Sequence, residues 1–214
     1  MPRLIVSADD YGYSARYNEG ILQAAAGGGI DAAGAMVLRG ACAPEPILEA
    51  GIEVGLHIEL PPGVEGDDDA AAEPRRQLGL FTSIFRRPPA YLDGHHHCHA
   101  SEAMAAEVES IALELGIRVR CAGDEHRERL RAVGIETPER LIGRWAEDQP
   151  PVPAEIERAA EGDGPPPGLT EWMTHPGLSD PGAGSGFDRG REDDLAVALR
   201  FAPSPFLRRW RDRR

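Results

Sequence analysis

Short apolar runs bounded by polar or glycine-rich stretches recur along the chain, and each has the length of a buried strand. The first, Leu4-Ile5-Val6-Ser7-Ala8, delivers Asp9-Asp10 at its C-terminal end. Asp31 to Leu38 repeats the apolar pattern. In Glu53 to Leu60 strict alternation puts Val54, Leu56, Ile58 and Leu60 on one face, with Glu53, Gly55, His57 and Glu59 on the other. Tyr91-Leu92, Ile117 to Arg120 and Leu169 to Thr174 complete the predicted strands, and the last runs into His175-Pro176-Gly177.

Helical spacing fills the intervals. Ser14 caps a helix whose apolar face is Tyr17, Ile21, Ala24 and Ala25 and which Gly27-Gly28-Gly29 stops. No Lys-Ser/Thr follows the three glycines, so they do not read as a phosphate loop. Met104, Val108, Ile111 and Leu115 mark an amphipathic helix that ends at Gly116. Further helices are predicted over Pro46 to Ala50, Arg75 to Phe85, Pro138 to Trp145, Pro153 to Ala160 and Arg191 to Leu199. Residues 61–74, rich in Pro, Gly, Asp and Ala and without periodicity, read as a mobile loop in which Asp67-Asp68-Asp69 is a solvated charge run. Strands alternating with helices predict an α/β fold with mainly parallel strands, a barrel or an open sheet, in a single domain over residues 1–200 with an Arg-rich tail at 201–214.

Polar groups collect at the ends of the predicted strands. Four of the seven histidines fall in Asp93-Gly94-His95-His96-His97-Cys98-His99. If that segment runs extended, Asp93, His95, His97 and His99 share one face, while His96 and Cys98 share the other. A parallel barrel or sheet gathers the C-terminal ends of its strands on one rim, which would bring Asp9-Asp10, His57, the histidine run and His175 together. One carboxylate and two imidazoles suffice for a divalent cation with open positions. A second carboxylate can accept a proton and a further histidine can donate one, so the inventory fits metal-assisted hydrolysis.

Charge narrows the partners. The chain carries 36 acidic and 23 basic residues, a net charge of −13, and every basic residue is Arg, which speaks against nucleic-acid binding. Arg208, Arg209, Arg211, Arg213 and Arg214 read as a solvated tail. Cys42, Cys98 and Cys121 cannot all pair internally, and no signal peptide or membrane span is legible, so a cytoplasmic protein is expected.

Ala8-Asp9-Asp10-Tyr11-Gly12, Val54-Gly55-Leu56-His57, Tyr91 to His99 and Met173-Thr174-His175-Pro176-Gly177, in that order, resemble the successive motifs of the YdjC/ChbG-like carbohydrate deacetylases. The likeness extends to Asn18-Glu19-Gly20-Ile21 and Gly116 to Arg120, and covers roughly residues 3 to 200. It implies a distorted, incomplete (β/α) barrel related to polysaccharide deacetylase barrels. It also implies removal of N-acetyl groups from small amino-sugar oligosaccharides such as chitobiose, with one divalent metal ion, Mg or Zn foremost. By position, Asp10, His57 and His95 would ligate the metal, Asp9 would be the base and His175 the acid. His97 and Asp93 would support the ligands or touch substrate, and adjacent Asp9 and Asp10 would point differently. His96 is the weakest candidate of the run. Residues 61–76 are shorter than the family's segment, the chain stops soon after residue 200, and Tyr11 stands where Phe is common. Barrel closure and substrate are therefore open, and closure against a second copy as a homodimer is expected. Other readings are a metal-dependent hydrolase of another sugar or a glycolipid, and a non-catalytic metal- or sugar-binding descendant.

Overall fold

In the computed structural model, which describes residues 3–64, 66–158 and 167–202, the apolar runs form seven parallel strands. These are β1 Arg3–Tyr11, β2 Ala32–Ala35, β3 Glu53–Ile58, β4 Tyr91–Gly94, β5 Arg118–Val119, β6 Arg140–Gly143 and β7 Leu169–Thr174, hydrogen-bonded in the order β5-β4-β3-β2-β1-β7-β6. The helices are α1 Ala15–Ala26, α2 Pro44–Glu49, α3 Asp67–Phe85, α4 Glu102–Leu115, α5 Asp124–Ala132, α6 Ala154–Arg158 and α7 Gly190–Phe201. Ser14 caps α1 through its hydroxyl and Gly116 ends α4 in the left-handed conformation, both as the pattern predicts.

Alternation sorts the strands into two layers. Val6, Ala8, Val54, Leu56, Ile58, Leu92, Val119 and Trp172 pack outward under the helices as the apolar core. The inward set, Ser7, Asp9, His57, Glu59, Tyr91, Asp93 and Glu171, is polar and buried. Three strands separate β5 from β1, a distance of about 19 Å in a flat sheet. Yet Arg120, just past β5, places Nη1 2.7 Å from Asp9 on β1 and Nε 2.9 Å from Glu171 on β7. The sheet is therefore rolled into a barrel around an ionic interior. Its seam lies between β5 and β6, which form no ladder among the described residues. The segment after α5 bridges it: Val119 donates its amide to Glu136 O and Glu139 donates to Leu169 O.

Three expectations differ. Helix α3 begins at Asp67, not Arg75: the three aspartates occupy its first turn, where the helix dipole favours them, and Ala70, Glu73, Pro74, Gln77, Leu78 and Phe81 form one buried stripe across the proline. Arg140–Gly143 is a strand within the predicted helix Pro138 to Trp145, because its backbone pairs with Thr170 to Met173 of β7. The histidine run does not stay extended. Strand β4 stops at Gly94 and residues His95–Ala100 turn in a 3-10 conformation, with left-handed φ of 51° at His96 and 56° at His97. Helix α5 lay in a stretch too charged to show a period. The arginines from Arg208 onward lie outside the described residues.

Candidate active site

A backbone irregularity sets the two acidic residues. Between Ala8, paired with Ala33, and Tyr11, paired with Ala35, β1 carries one residue more than β2, and Asp10 takes a left-handed φ of 72°. Such a bulge re-aims the side chains around it. Asp is among the few residues that tolerate that conformation. Consequently Asp9 and Asp10, which simple alternation would send to opposite faces, both line one cavity of about 740 Å³ at the C-terminal rim of the barrel. His57, His95, His96, His97 and His175 line it too.

The two carboxylates have different partners. Both Asp9 oxygens are taken by Arg120, at 2.7 and 2.8 Å. Burial alone would raise the Asp9 pKa, but Arg120, with His57 and His175, holds it far below the usual carboxylate range. Asp10 has one oxygen engaged: Oδ2 accepts from Arg191 Nη2 at 2.5 Å. Its Oδ1 is buried without a well-directed hydrogen bond and faces His95 Nδ1 at 3.0 Å and His57 Nε2 at 3.4 Å. Against burial, the two imidazoles and Arg191 keep Asp10 well below its ordinary value.

Asp10, His57 and His95 thus converge three potential ligand atoms within 4.8 Å of one another. Asp93 Oδ1 lies 2.9 Å from His57 Nδ1 and, being an acceptor, fixes a proton there, so Nε2, which faces Asp10, is the ring nitrogen left to meet a cation. Burial opposes charge on His57, yet Asp93, Asp9 and Asp10 together hold its pKa well above the usual value. The donor set, one carboxylate oxygen and two imidazole nitrogens with an oriented supporting group, fits Zn²⁺ or a related divalent ion. A second cluster, Asp9, His57 and Asp93, is geometrically close. Arg120 occupies it, at 2.9 Å from Asp93 as well.

His175 faces Asp9 across the cavity, with Nε2 4.0 Å from Oδ2. Its segment is fixed from below: the His175 amide donates to Asp194 Oδ2 at 2.7 Å, and Thr174 Oγ1 donates to the same oxygen at 3.2 Å. Burial lowers the His175 pKa against the pull of Asp9, and burial raises that of Asp194. The segment after His175 also rests on α1. A Cβ added at Gly20 would sit 2.4 Å from Gly177 Cα, so this helix position admits only glycine.

The remaining predicted residues divide. Asp93 supports His57 and Arg120 from inside the barrel rather than facing the cavity. His97 lines the cavity edge-on to Trp145, ring centroids 4.8 Å apart, and burial followed by Arg120 pushes its pKa down to about 4. His96 lines the cavity beside His95 at 4.0 Å, while His99 is buried with Nε2 3.0 Å from Arg120 O. Arg120, Glu171, Arg191, Asp194 and Trp145 were not singled out from sequence. For Arg120 a signal exists, since alternation from Val119 puts it on the inward face. For Glu171, Arg191 and Trp145 the partners lie more than forty positions away or in a loop without periodicity, and Asp194 meets the end of β7 from another element, nineteen and twenty positions on.

The wall of the cavity is made by two loops held together. Glu147 accepts from the amides of Asp188 at 2.7 Å and Gly190 at 3.2 Å, and Arg144 Nε pairs with Asp194 Oδ1 at 2.8 Å. Trp145, 51% exposed, and Phe187 present aromatic surface there, with Phe187 centred 4.8 Å from His175. Exposed aromatic area beside convergent polar groups is the usual make-up of a small-molecule site.

The family model described as "YdjC-like protein" matches residues 3–66 and 60–210. A chitooligosaccharide deacetylase of Serratia marcescens is 28% identical over 165 residues, covering 63% of this chain and 64% of that protein, so the match spans less than two thirds of the relative. A carbohydrate deacetylase of Geobacillus stearothermophilus is 28% identical over 227 residues, covering 92% and 89%. Among solved structures, a candidate cellobiose-phosphate cleavage protein of Enterococcus faecalis superposes with a TM-score of 0.76 over 98% of this chain and 93% of that one. At 17% identity that likeness is one of fold.

Proposed function

The chain belongs to the YdjC-like protein family, and from that premise we propose that it is a metal-dependent deacetylase that removes N-acetyl groups from small amino-sugar oligosaccharides. The observation that carries the reading is the unpartnered Asp10 Oδ1 facing His57 Nε2 and His95 Nδ1, with Asp93 behind His57. Asp10, His57 and His95 would hold a divalent cation, Zn²⁺ or Mg²⁺. When bound, the ion supplies Lewis-acid polarisation of the acetamide carbonyl and acidifies water.

This chain's own groups do the rest. Arg120 keeps Asp9 ionised, so Asp9 is always ready to accept a proton, though it is a weak base that needs an acidified water. His175, made a stronger acid by burial, gives its proton to the departing amine as acetate leaves. The aromatic wall of Trp145 and Phe187 accepts the apolar face of a sugar ring, and the cavity of about 740 Å³ exceeds the needs of an acetamide alone. Three free cysteines accord with a reduced, cytoplasmic setting. No helix among the described residues is long and apolar enough to cross a membrane.

The test is acetate release from a panel of N-acetylated mono- and disaccharides by the metal-loaded protein, with chelated protein and Asp9→Asn as comparisons. Acetate release that is metal-dependent and lost in Asp9→Asn is expected. Full activity in Asp9→Asn or in chelator would sink the mechanism, and no acetate from any sugar would sink the substrate class.

A further inference from the structure

Arg191, the second residue of α7, is wholly buried, an expensive place for a guanidinium unless a carboxylate meets it. Among the described residues its one ion-pair partner is Asp10, at 2.5 Å from Nη2 to Oδ2. The other contacts of the head are to neutral groups, and Nη1 is buried without a hydrogen-bond partner. Nε donates to Phe187 O at 2.7 Å, Ser185 Oγ lies 3.5 Å from Nη2, and the guanidinium plane lies 3.7 Å over the Tyr17 ring. The stem passes tightly against Gly177, where a Cβ would fall 3.0 Å from Arg191 Cδ.

The two buried arginines therefore treat the two adjacent carboxylates differently. Arg120 closes both oxygens of Asp9, whereas Arg191 closes only Oδ2 of Asp10 and leaves Oδ1 toward the imidazoles. We propose that Arg191 is a positioning residue that makes Asp10 a one-oxygen ligand and ties that ligand to the cavity loop at Ser185 and Phe187. The inference rests on the metal reading of Asp10, His57 and His95.

Two consequences follow from charge and geometry. A cation beside the ligand carboxylate repels a bound dication, so Arg191 weakens metal affinity while leaving the ion less neutralised and more polarising. It also prevents the second oxygen from joining the coordination sphere and raising the coordination number. A merely structural arginine predicts the opposite for affinity: its loss would disorder Asp10 and loosen the metal.

The experiment is Co²⁺ titration of chelator-stripped wild-type, Arg191→Gln and Arg191→Lys proteins, read by calorimetry and by visible absorption. Steady-state kinetics on diacetylchitobiose accompany it. Arg191→Gln is expected to bind Co²⁺ about tenfold more tightly, with weaker visible absorption from a higher coordination number and a reduced kcat. Arg191→Lys keeps a cation on Asp10 but loses the bond to Phe187 O, so it is expected to keep the wild-type spectrum and raise KM. Folded Arg191→Gln that binds Co²⁺ no more tightly than wild type, with an unchanged spectrum, overturns the proposal. If Arg191→Gln does not fold, Arg191→Lys decides: an altered spectrum or an unchanged KM overturns it. Wild type that binds no Co²⁺ refutes the underlying metal reading and the proposal with it, whereas Co²⁺ binding unaffected by Asp10→Ala refutes the ligand assignment specifically.

Discussion

Replacing Arg120 with Met is expected to make the stability of the protein fall with rising pH relative to wild type. Arg120 is 1% exposed and lies within 3.0 Å of oxygens from Ser7, Asp9, Asp93 and Glu171. Methionine fills much of the volume but leaves three buried carboxylates without their cation. Removing one partner of a buried ion pair costs about 3–5 kcal/mol, against a total stability of about 5–15 kcal/mol. With a urea slope of about 2 kcal/mol per molar, the midpoint at neutral pH falls by about 2 M. The sign of the pH dependence is the sharper test. In wild type the lowered Asp9 pKa contributes stability that is present above the unfolded value of about 3.9 and lost as pH falls toward the folded one. In Arg120→Met burial dominates and the folded pKa values rise above the unfolded ones. The variant then loses stability as pH rises through them and recovers it on acidification. Urea unfolding of both metal-stripped proteins between about pH 5 and about pH 8, taken as the difference, cancels the titrating groups outside this cluster, while His57, whose charge follows Asp9 and Asp93, reports with it. A deficit that shrinks toward the acid end is expected. A deficit that does not change with pH, or one below about 1 kcal/mol, would refute the assignment of Arg120 as the cation that keeps this interior ionised.

Four further outcomes can be checked on the same protein. His95→Ala is expected to abolish the rise in melting temperature on adding Zn²⁺, whereas His96→Ala, which removes a ring beside the site but not a ligand, keeps it; equal loss in both would count against His95. Asp93→Asn should weaken metal affinity by about 10- to 100-fold in a calorimetric titration, because the carboxylate that orients His57 is gone. His175 must be protonated to act as an acid, and burial lowers its pKa, so kcat/KM should decline on the alkaline side through a value below the ordinary histidine pKa; a limb retained in His175→Ala would remove it as the origin. Gly20→Ala should cost about 1–3 kcal/mol through the clash with Gly177 and lower turnover by displacing His175, with metal affinity kept. Equal loss of metal affinity would show a general collapse of the site.

The residues lining the cavity were legible in sequence because each sits at the end of a strand whose period is plain: Asp9-Asp10 after Leu4 to Ala8, His57 on the inward face of β3, His175 after β7. Strand ends in a parallel sheet share a rim whatever the intervening helices do. What alternation misstates is the conformation at those ends. The bulge at Asp9-Asp10 and the turn at His95 to Ala100 break the two-residue period, and an irregularity of one residue has no compositional mark when Asp and His supply it. The same holds for Arg140–Gly143, whose strand state comes from pairing with β7 rather than from its own residues.

The arginines were hidden for a different reason. Alternation from Val119 marks Arg120 as inward, yet an arginine just past a strand as short as β5 reads as a surface residue, because no local neighbour neutralises it. Its partners come from β1, β4 and β7, and they become neighbours only when the sheet rolls. The polar interior and the barrel curvature are thus one fact: four charged or polar strand residues with no apolar alternative can be buried only where the curl brings Arg120 among them. That dependence makes the Asp9 carboxylate and the fold hard to separate by mutation. It is why the pH dependence of stability in Arg120→Met, rather than its loss of activity, carries the information about Asp9.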